Sequence, residues 1–346
     1  MHSLTNILLS IAFLTSFLSS GFIAEPLGAQ TLKIATLAPE GSGWTEALHR
    51  IDRRIRAATA DSVQLKIYAG GIQGDERVVL RKMRIGQLHG GGFAGPSMSQ
   101  ILPDILALQL PFLFGDYQEV DYVLDNTKAD FSNRYKQKGF VFLGWADIGF
   151  VHLLSQVPIS SLDDIKSHPV WRLEGEPITE ILFRLGNVRS IPLTIPDVLL
   201  GLQTDLVKVV YSSPAAAIVL QWFTRVSYIN EQPINFALGA FLLSERAFNT
   251  LSPKHGDTLR QISEEEMRAL TLEMRHENSK ALTVLQNNGV QLNNVSPSDL
   301  DSFKKLVQQT IEELIEGPMP PELHNRVQGF LIQYRENKRR KELNEF

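Results

Sequence analysis

Val170-Trp171-Arg172, then Pro177 to Leu185, then Val207-Lys208-Val209-Val210-Tyr211-Ser212-Ser213-Pro214 are the residues that decide this fold. Together with Leu162 to Ile165 ahead of them, they read as strand, helix, strand. Arg172 ends the first strand and Ser213 ends the second. In an open α/β sheet, ligands bind in the crevice beyond the strand carboxyl ends. An arginine there suits a carboxylate, because its planar fork can hold both oxygens. Spacing alone leaves a second reading open, a surface ion pair between Arg172 and Glu174 or Glu176. Strand alternation puts Trp171 on the face opposite Arg172, and Tyr211 and Ser213 on one shared face.

The chain has 346 residues, 43% of them apolar and 21% charged. That length allows roughly two domains of about 150 residues each, and the composition is that of a globular protein. A net charge of −4 offers no basic field to nucleic acid. There is no cysteine, which removes disulfides, thiolate catalysis and Cys-based zinc sites. Ile7 to Ala24 carries no charge and is largely apolar, and Leu27-Gly28-Ala29 supplies small residues before Gln30. This pattern reads as an export signal, residues 1–29, cleaved near Ala29. Only His2, and no Lys or Arg, precedes the apolar run, and a retained membrane anchor is the alternative.

Further along, Leu32, Ile34 and Thr36 alternate as a strand does, and so do Val63, Leu65 and Ile67. Between them Ser42 caps a helix in which Trp44, Leu48, Ile51 and Ile55 recur at helical spacing. A second helix runs from Val79 to Ile85. This β-α-β-α order is that of an open α/β domain. Tyr117 to Leu124 reads as a short helix, Phe140 to Trp145 as a buried strand with Trp145 at its far end, and Asp147 to Leu154 as a crossover. Ala215 to Phe223 is helical, and Ile234 to Leu243 is a returning strand. Ser252 to Asn288 reads as one long helix ended by Gly289, long enough at about 1.5 Å per residue to lie across two domains. Leu300 to Ile315 is another amphipathic helix. The basic tail, 331–346, reads as a solvated end.

Catalytic signatures are missing. Gly90, Gly92 and Gly95 match G-x-G-x-x-G, with Asp116 downstream. The residues before them make a poor strand, and Pro96-Ser97-Met98 reads as a loop where a dinucleotide site needs a helix. The glycines instead suggest a close backbone approach. The eight histidines are scattered without metal spacing. No nucleophile elbow or phosphate loop is present. No cofactor and no enzyme activity are expected. An exported two-domain protein of this kind reads as a binding protein that closes around a ligand.

Several stretches in order carry a family resemblance: Ala38-Pro39-Glu40-Gly41-Ser42-Gly43-Trp44, Leu110-Pro111-Phe112-Leu113-Phe114 with Tyr117, Leu143-Gly144-Trp145, Gly149-Phe150, Trp171-Arg172, Val207 to Pro214, and Phe241 to Pro253. From about Leu32 to Gln328 the chain resembles the extracytoplasmic solute-binding proteins of TRAP transporters. The resemblance implies an α/β periplasmic binding protein fold with open mixed sheets, a cleft between two domains and a long helix spanning both. It divides the chain into domain I, 31–149 with about 240–270, and domain II, 150–239 with about 271–330. It implies capture of an organic acid in the periplasm and delivery to TRAP membrane permease subunits. Arg172 matches the family arginine that pairs with a ligand carboxylate. The family's second arginine is here Val151, its ligand-contacting asparagine is Ser213, and no acidic residue stands near Gly95. With Phe93, Trp145 and Tyr211 as apolar walls, the ligand expected is a monocarboxylate with an apolar body. The alternative is a hydrophobic or lipid-like ligand, as in the branch that works with a tetratricopeptide-repeat partner.

Overall fold

The computed structural model describes residues 29–344. The expected export signal therefore lies outside the described residues, apart from its last position. The first half of the chain runs β1 (Gln30–Ala35), α1 (Gly43–Thr59), β2 (Val63–Tyr68), α2 (Glu76–Arg84), β3 (Gly90–Ala94), α3 (Gly95–Ser99), α4 (Tyr117–Gln137) and β4 (Phe140–Ser155). There follow α5 (Leu162–Lys166), β5 (Val170–Leu173), α6 (Pro177–Leu185), β6 (Ser190–Leu193), α7 (Val198–Gln203), β7 (Val209–Ser212), α8 (Pro214–Val219), β8 (Tyr228–Asn230) and β9 (Asn235–Ser244). The last third is α9 (Glu245–Phe248), α10 (Pro253–Asn287), β10 (Gln291–Asn293), α11 (Pro297–Glu316) and α12 (Pro321–Asn344).

β4 belongs to two sheets. Its residues Phe140 to Val151 pair antiparallel with β9, completing a first sheet in the order β2-β1-β3-β9-β4. Its last residues, His152 to Ser155, pair antiparallel with β7, which starts a second sheet continuing through β5 to β6. β8 also pairs with the end of β4, and β10 with β8. β1, β2 and β3 are parallel, as are β5, β6 and β7 where they pair. Parallel strands need helical crossovers, yet β1 and β2 still alternate, with exposed Lys33 between Leu32 and Ile34 and exposed Lys66 between Leu65 and Ile67. The mixed, two-sheet α/β architecture read from the sequence is the architecture observed.

The passage of β4 between the sheets is shaped by two glycines. Gly144 (φ +150°) and Gly149 (φ +118°) stand beside the two register shifts in the β4/β9 ladder. An added Cβ at Gly144 would lie 2.8 Å from the Met267 Cβ on α10, so the long helix lies directly on the strand. α10 has 35 residues, about 50 Å at the usual rise. Ser252 caps it, accepting from the His255 amide at 3.2 Å, and Pro253 occupies a first-turn position where its missing N–H matters least. Leu259, Ile262, Met267 and Leu270 enter the core of the first sheet, while Leu285 enters that of the second. One helix thus buttresses both sheets.

Three local expectations are corrected. The helix begun at Tyr117 does not stop at Leu124 but continues to Gln137, since Thr127, Phe131 and Tyr135 keep the buried face going. Pro96-Ser97-Met98 is a turn of helix, not a loop. The basic tail is the end of α12. Its Leu323, Val327 and Leu331 are buried in the core with Phe131 and Tyr135 of α4. Arg335 holds Glu119 through two bonds of 2.7 Å, and Lys338 holds Asp116 at 3.0 Å. These cations meet the acidic first turn of α4, where negative charge already favours the helix dipole.

Candidate functional site

Between the two sheets lies a cavity of about 320 Å³. It opens where the theory of open sheets places a site, beyond the carboxyl ends of β1, β3, β5 and β7. On the first-sheet side its wall is built by the loop after β1, the start of α1 and the end of β3. On the second-sheet side it is built by β5, α6, β7 and α8. β4 and β9 supply the floor through Ile148, Val151, Asn235 and Phe236.

Five of the seven residues singled out in the sequence reach this wall: Phe93, Gly95, Val151, Tyr211 and Ser213. Tyr211 stacks on Trp171 with centroids 4.6 Å apart, and Trp222 meets Trp171 edge-on at 5.2 Å. The Tyr211 hydroxyl accepts from the Leu173 amide at 3.2 Å, and burial pushes its pKa up. Ser213 caps α8, accepting from the Ala216 amide at 3.3 Å, which leaves its O–H free to donate. Val151 is paired with Asn235 across β4 and β9.

Trp145 is not in the wall. The strand it was expected to end runs on to Ser155, so Trp145 sits mid-strand. It packs against Phe142 at 4.5 Å and Phe131 at 5.4 Å, inside the core under α4. The indoles that do line the cavity are Trp44, Trp171 and Trp222. Trp171, expected to be core on the far side of Arg172, is both buried and cavity-facing. Trp44 explains two glycines. A Cβ at Gly92 would lie 3.1 Å from its ring, and one at Gly239 would lie 2.6 Å away. The benzo edge of the indole packs against β3 and β9, tightly at Gly92 and with no room for a side chain at Gly239.

Arg172 is also outside the wall. Trp171 and Leu173 on either side face the cavity, and alternation turns Arg172 away. Its partner is neither Glu174 nor Glu176. Arg172 Nη1 stands 3.4 Å from Glu180 Oε2 on α6, a long contact to an exposed carboxylate. Glu174 is held instead by Arg77 of α2 at 2.6 Å, a bridge from one side of the cavity to the other. Glu176 caps α6, accepting from the Ile178 amide at 2.8 Å and the Thr179 amide at 2.7 Å.

Among the described residues the charged members of the wall are Glu76, Glu176 and Glu277, and no Lys, Arg or His is among them. Glu76 and Glu176 are buried. Burial pushes Glu76 up to about 7, opposed by hydrogen bonds from Ser97 and the Ala94 amide. Burial pushes Glu176 upward too, against its bonds to Thr179 and Ile178. Most of the remaining wall is aliphatic and aromatic. It has the makings of a ligand pocket: concave, mainly apolar, with a few placed polar groups.

Sequence reasoning missed Glu76, Gln109, Phe112 and Asn235. Phe112 carried a signal, since it lies in the Leu110 to Phe114 stretch. Its φ is +55°, an uncommon conformation for a bulky residue, and its amide donates to the Ile234 carbonyl at 2.8 Å. Gln109 and Asn235 carried none, because a polar residue beside an apolar run looks like a surface position.

Residues 34–317 match the family described as bacterial extracellular solute-binding protein, family 7. The chain belongs to that family. The resemblance carried by the sequence motifs is thereby borne out, and with it the expectation of a binding protein and not an enzyme. Among relatives of this family 7 protein is a sialic acid-binding periplasmic protein of Vibrio cholerae, 21% identical over 298 residues, spanning 82% of this chain and 88% of the relative. Its fold resembles that of a TRAP periplasmic solute-binding protein from Xanthobacter autotrophicus Py2 with bound β-D-galacturonate (TM-score 0.80, 17% identity, 86% of this chain and 99% of that one). It also resembles the sugar acid-binding protein of Advenella mimigardefordensis in complex with galactonate (TM-score 0.82, 17% identity, 88% and 98%). α12 lies beyond the part of the chain that matches the family.

Proposed function

We propose that this family 7 protein is the extracytoplasmic receptor of a TRAP-type transporter, and that its ligand is a monocarboxylate with a large apolar body. The observation that carries the apolar body is the wall of the cavity, which is apolar over most of its extent and, among the described residues, has no cation that could pair with a second carboxylate. The relatives named above bind sialic acid, galacturonate and galactonate, all acids rich in oxygen. In this cavity such an acid would leave hydroxyls against aliphatic side chains. A second carboxylate would lie near Glu76 or Glu176 with no counter-ion, which is costly in a buried site.

Arg172 is the proposed anchor for the single carboxylate. It lies at the carboxyl end of β5, partly buried, and among the described residues its one ion pair is the 3.4 Å contact to exposed Glu180. A ligand carboxylate presented at the β5–β7 edge offers a better partner than Glu180, and a side-chain rotation brings the guanidinium to it. The proposed moving units follow the sheets. Domain I takes 31–149 and about 240–270, and also 321–344, since α12 packs on α4. Domain II takes 150–239 and about 271–316. Closure bends β4 and β9, and the Arg77–Glu174 bridge holds the two sides together. The receptor then delivers its ligand to TRAP permease subunits outside the cytoplasm. A tetratricopeptide-repeat protein is the proposed additional partner, in line with an apolar ligand.

The test is to purify the exported protein, denature it and identify any released molecule by mass spectrometry, then titrate Arg172→Ala with that molecule. An apolar monocarboxylate whose affinity falls at least tenfold in the variant supports the reading. A released sugar acid or dicarboxylate refutes the ligand class. Unchanged affinity in Arg172→Ala refutes the anchor.

A further inference from the structure

The loop between α3 and α4 returns one polar side chain to the cavity. Gln109 is 5% exposed and lines the wall beside Glu76, Ala94 and Gly95. Its Nε2 donates to the Ile105 carbonyl at 3.2 Å, and this fixes which end of the amide is oxygen. The oxygen takes the space that a side chain at position 95 would fill. A Cβ on Gly95 would lie 2.0 Å from Gln109 Oε1. Among the described residues this oxygen accepts no side-chain or backbone hydrogen bond, and it faces the cavity, where a ligand can reach it. Glu76 completes the corner, already partnered by the Ala94 amide at 3.0 and 3.2 Å and by Ser97. On the same wall the Oδ1 of Asn235 is buried, and among the described residues it has no partner.

Buried acceptors without donors are rare, because each forgoes its bond to water. Here Gln109 and Asn235 lie on the wall of a ligand cavity, and the bond from Gln109 Nε2 fixes Oε1 as the acceptor that faces it. A ligand that satisfies Gln109 Oε1 must donate. We propose that the Glu76–Gln109 corner is the polar end of the ligand site, and that it takes a hydroxyl, or another neutral hydrogen-bond donor, at the end of the ligand remote from its carboxylate. This deepens the reading of the ligand as an apolar monocarboxylate and rests on it. The ligand class becomes an apolar acid with a hydroxyl on its far end. Such a molecule touches β5 and β7 with its carboxylate and β3 and the Gln109 loop with its hydroxyl. It therefore bridges the two sheets, which links recognition to closure of the cleft.

The experiment compares three ligand series by isothermal titration calorimetry on the full chain: the straight-chain octanoic, decanoic and dodecanoic acids, their ω-hydroxy derivatives, and the ω-methyl ethers, which accept but cannot donate. The series spans several lengths so that the hydroxyl reaches the corner at one of them. At that length the hydroxy acid should bind about tenfold more tightly than the plain acid, the difference one net hydrogen bond makes. The ether should bind no better than the plain acid. In Gln109→Leu, which keeps the bulk and removes the acceptor, the hydroxy acid should fall to within about twofold of the plain acid. Equal binding of hydroxy and plain acids by the wild type at every length overturns the proposal, and needs no variant. So does a hydroxyl preference that survives in a folded Gln109→Leu. Arg172→Ala separates this proposal from the one it rests on. A uniform loss of affinity with the hydroxyl preference intact supports both, and no loss with the preference intact removes only the anchor. Failure of all the acids to bind removes the ligand class and the corner with it.

Discussion

Asn278 of α10 donates through Nδ2 to the Ile148 carbonyl at 2.8 Å, and Gly149, next in the strand, leaves so little room that a Cβ there would lie 2.3 Å from that nitrogen. The same side chain donates to Met274 at 2.9 Å and accepts from the Ala215 amide at 3.0 Å. One buried amide thus ties the long helix to the crossing strand and to the start of α8. Close by, Arg275 holds buried Asp147 at 2.6 Å, Asp121, and the ring of Tyr117 at 4.5 Å. The point at which the chain passes from one sheet to the other is held by neighbours on a single helix.

Asn278→Ala should therefore cost about 2–4 kcal/mol of stability, because it leaves the Ile148 carbonyl and the Ala215 amide buried without partners. Gly149→Ala should be destabilising as well, through a backbone angle that alanine adopts only under strain and through collision with Asn278. Urea midpoints measure both. Wild-type stability in either variant would show that this contact does not support the fold.

The pH dependence of stability should contain a share from Glu76. Its carboxyl sits at about 7 in the folded protein against an ordinary 4.5. Between those values the folded chain holds a proton that the unfolded chain has released, so stability falls as pH rises through the window. The penalty is complete above about 7 and amounts to at most about 3 kcal/mol. Glu76→Gln cannot titrate. Its stability relative to wild type should rise from about pH 5 to about pH 8. A variant offset by the same amount at both ends would mean that Glu76 ionises normally.

Arg77 and Glu174 should act as a clasp across the cavity mouth. The pair is partly exposed, so its contribution is modest and screened by salt. Arg77→Ala and Glu174→Ala should each weaken ligand binding by about two- to fivefold at about 0.05 M salt, and by less at about 0.5 M. The double variant should be no weaker than either single one. Additive losses would show that the two residues do not act on each other.

Intrinsic fluorescence should report binding. Of the four tryptophans, Trp44, Trp171 and Trp222 line the cavity and Trp145 does not. Filling the cavity should change emission in the wild type, and the change should persist in Trp145→Phe with unaltered affinity. Loss of the response in that variant would place Trp145 in the binding site after all.

The sequence by itself determined the element order of the two α/β halves, the long helix, the end-of-strand positions of Arg172 and Ser213, and the family. Periodicity and capping are local, so Ser42, Ser252 and the alternation at Leu32 to Thr36 reveal themselves within a few residues. Tertiary structure alone decided which side chains face the cavity. A register shift between Asp147 and Gly149 breaks the alternation of β4, so the face of Trp145 does not predict the face of Val151. Gln109, Asn235 and Glu76 meet at the wall only because β3, β9 and α2 converge there. α12 illustrates the same limit. Its basic end resembles a solvated tail until α4 supplies Glu119 and Asp116, a pairing between positions more than 200 residues apart. Contacts at that separation depend on how the sheets close upon one another, and no local pattern in the chain encodes them.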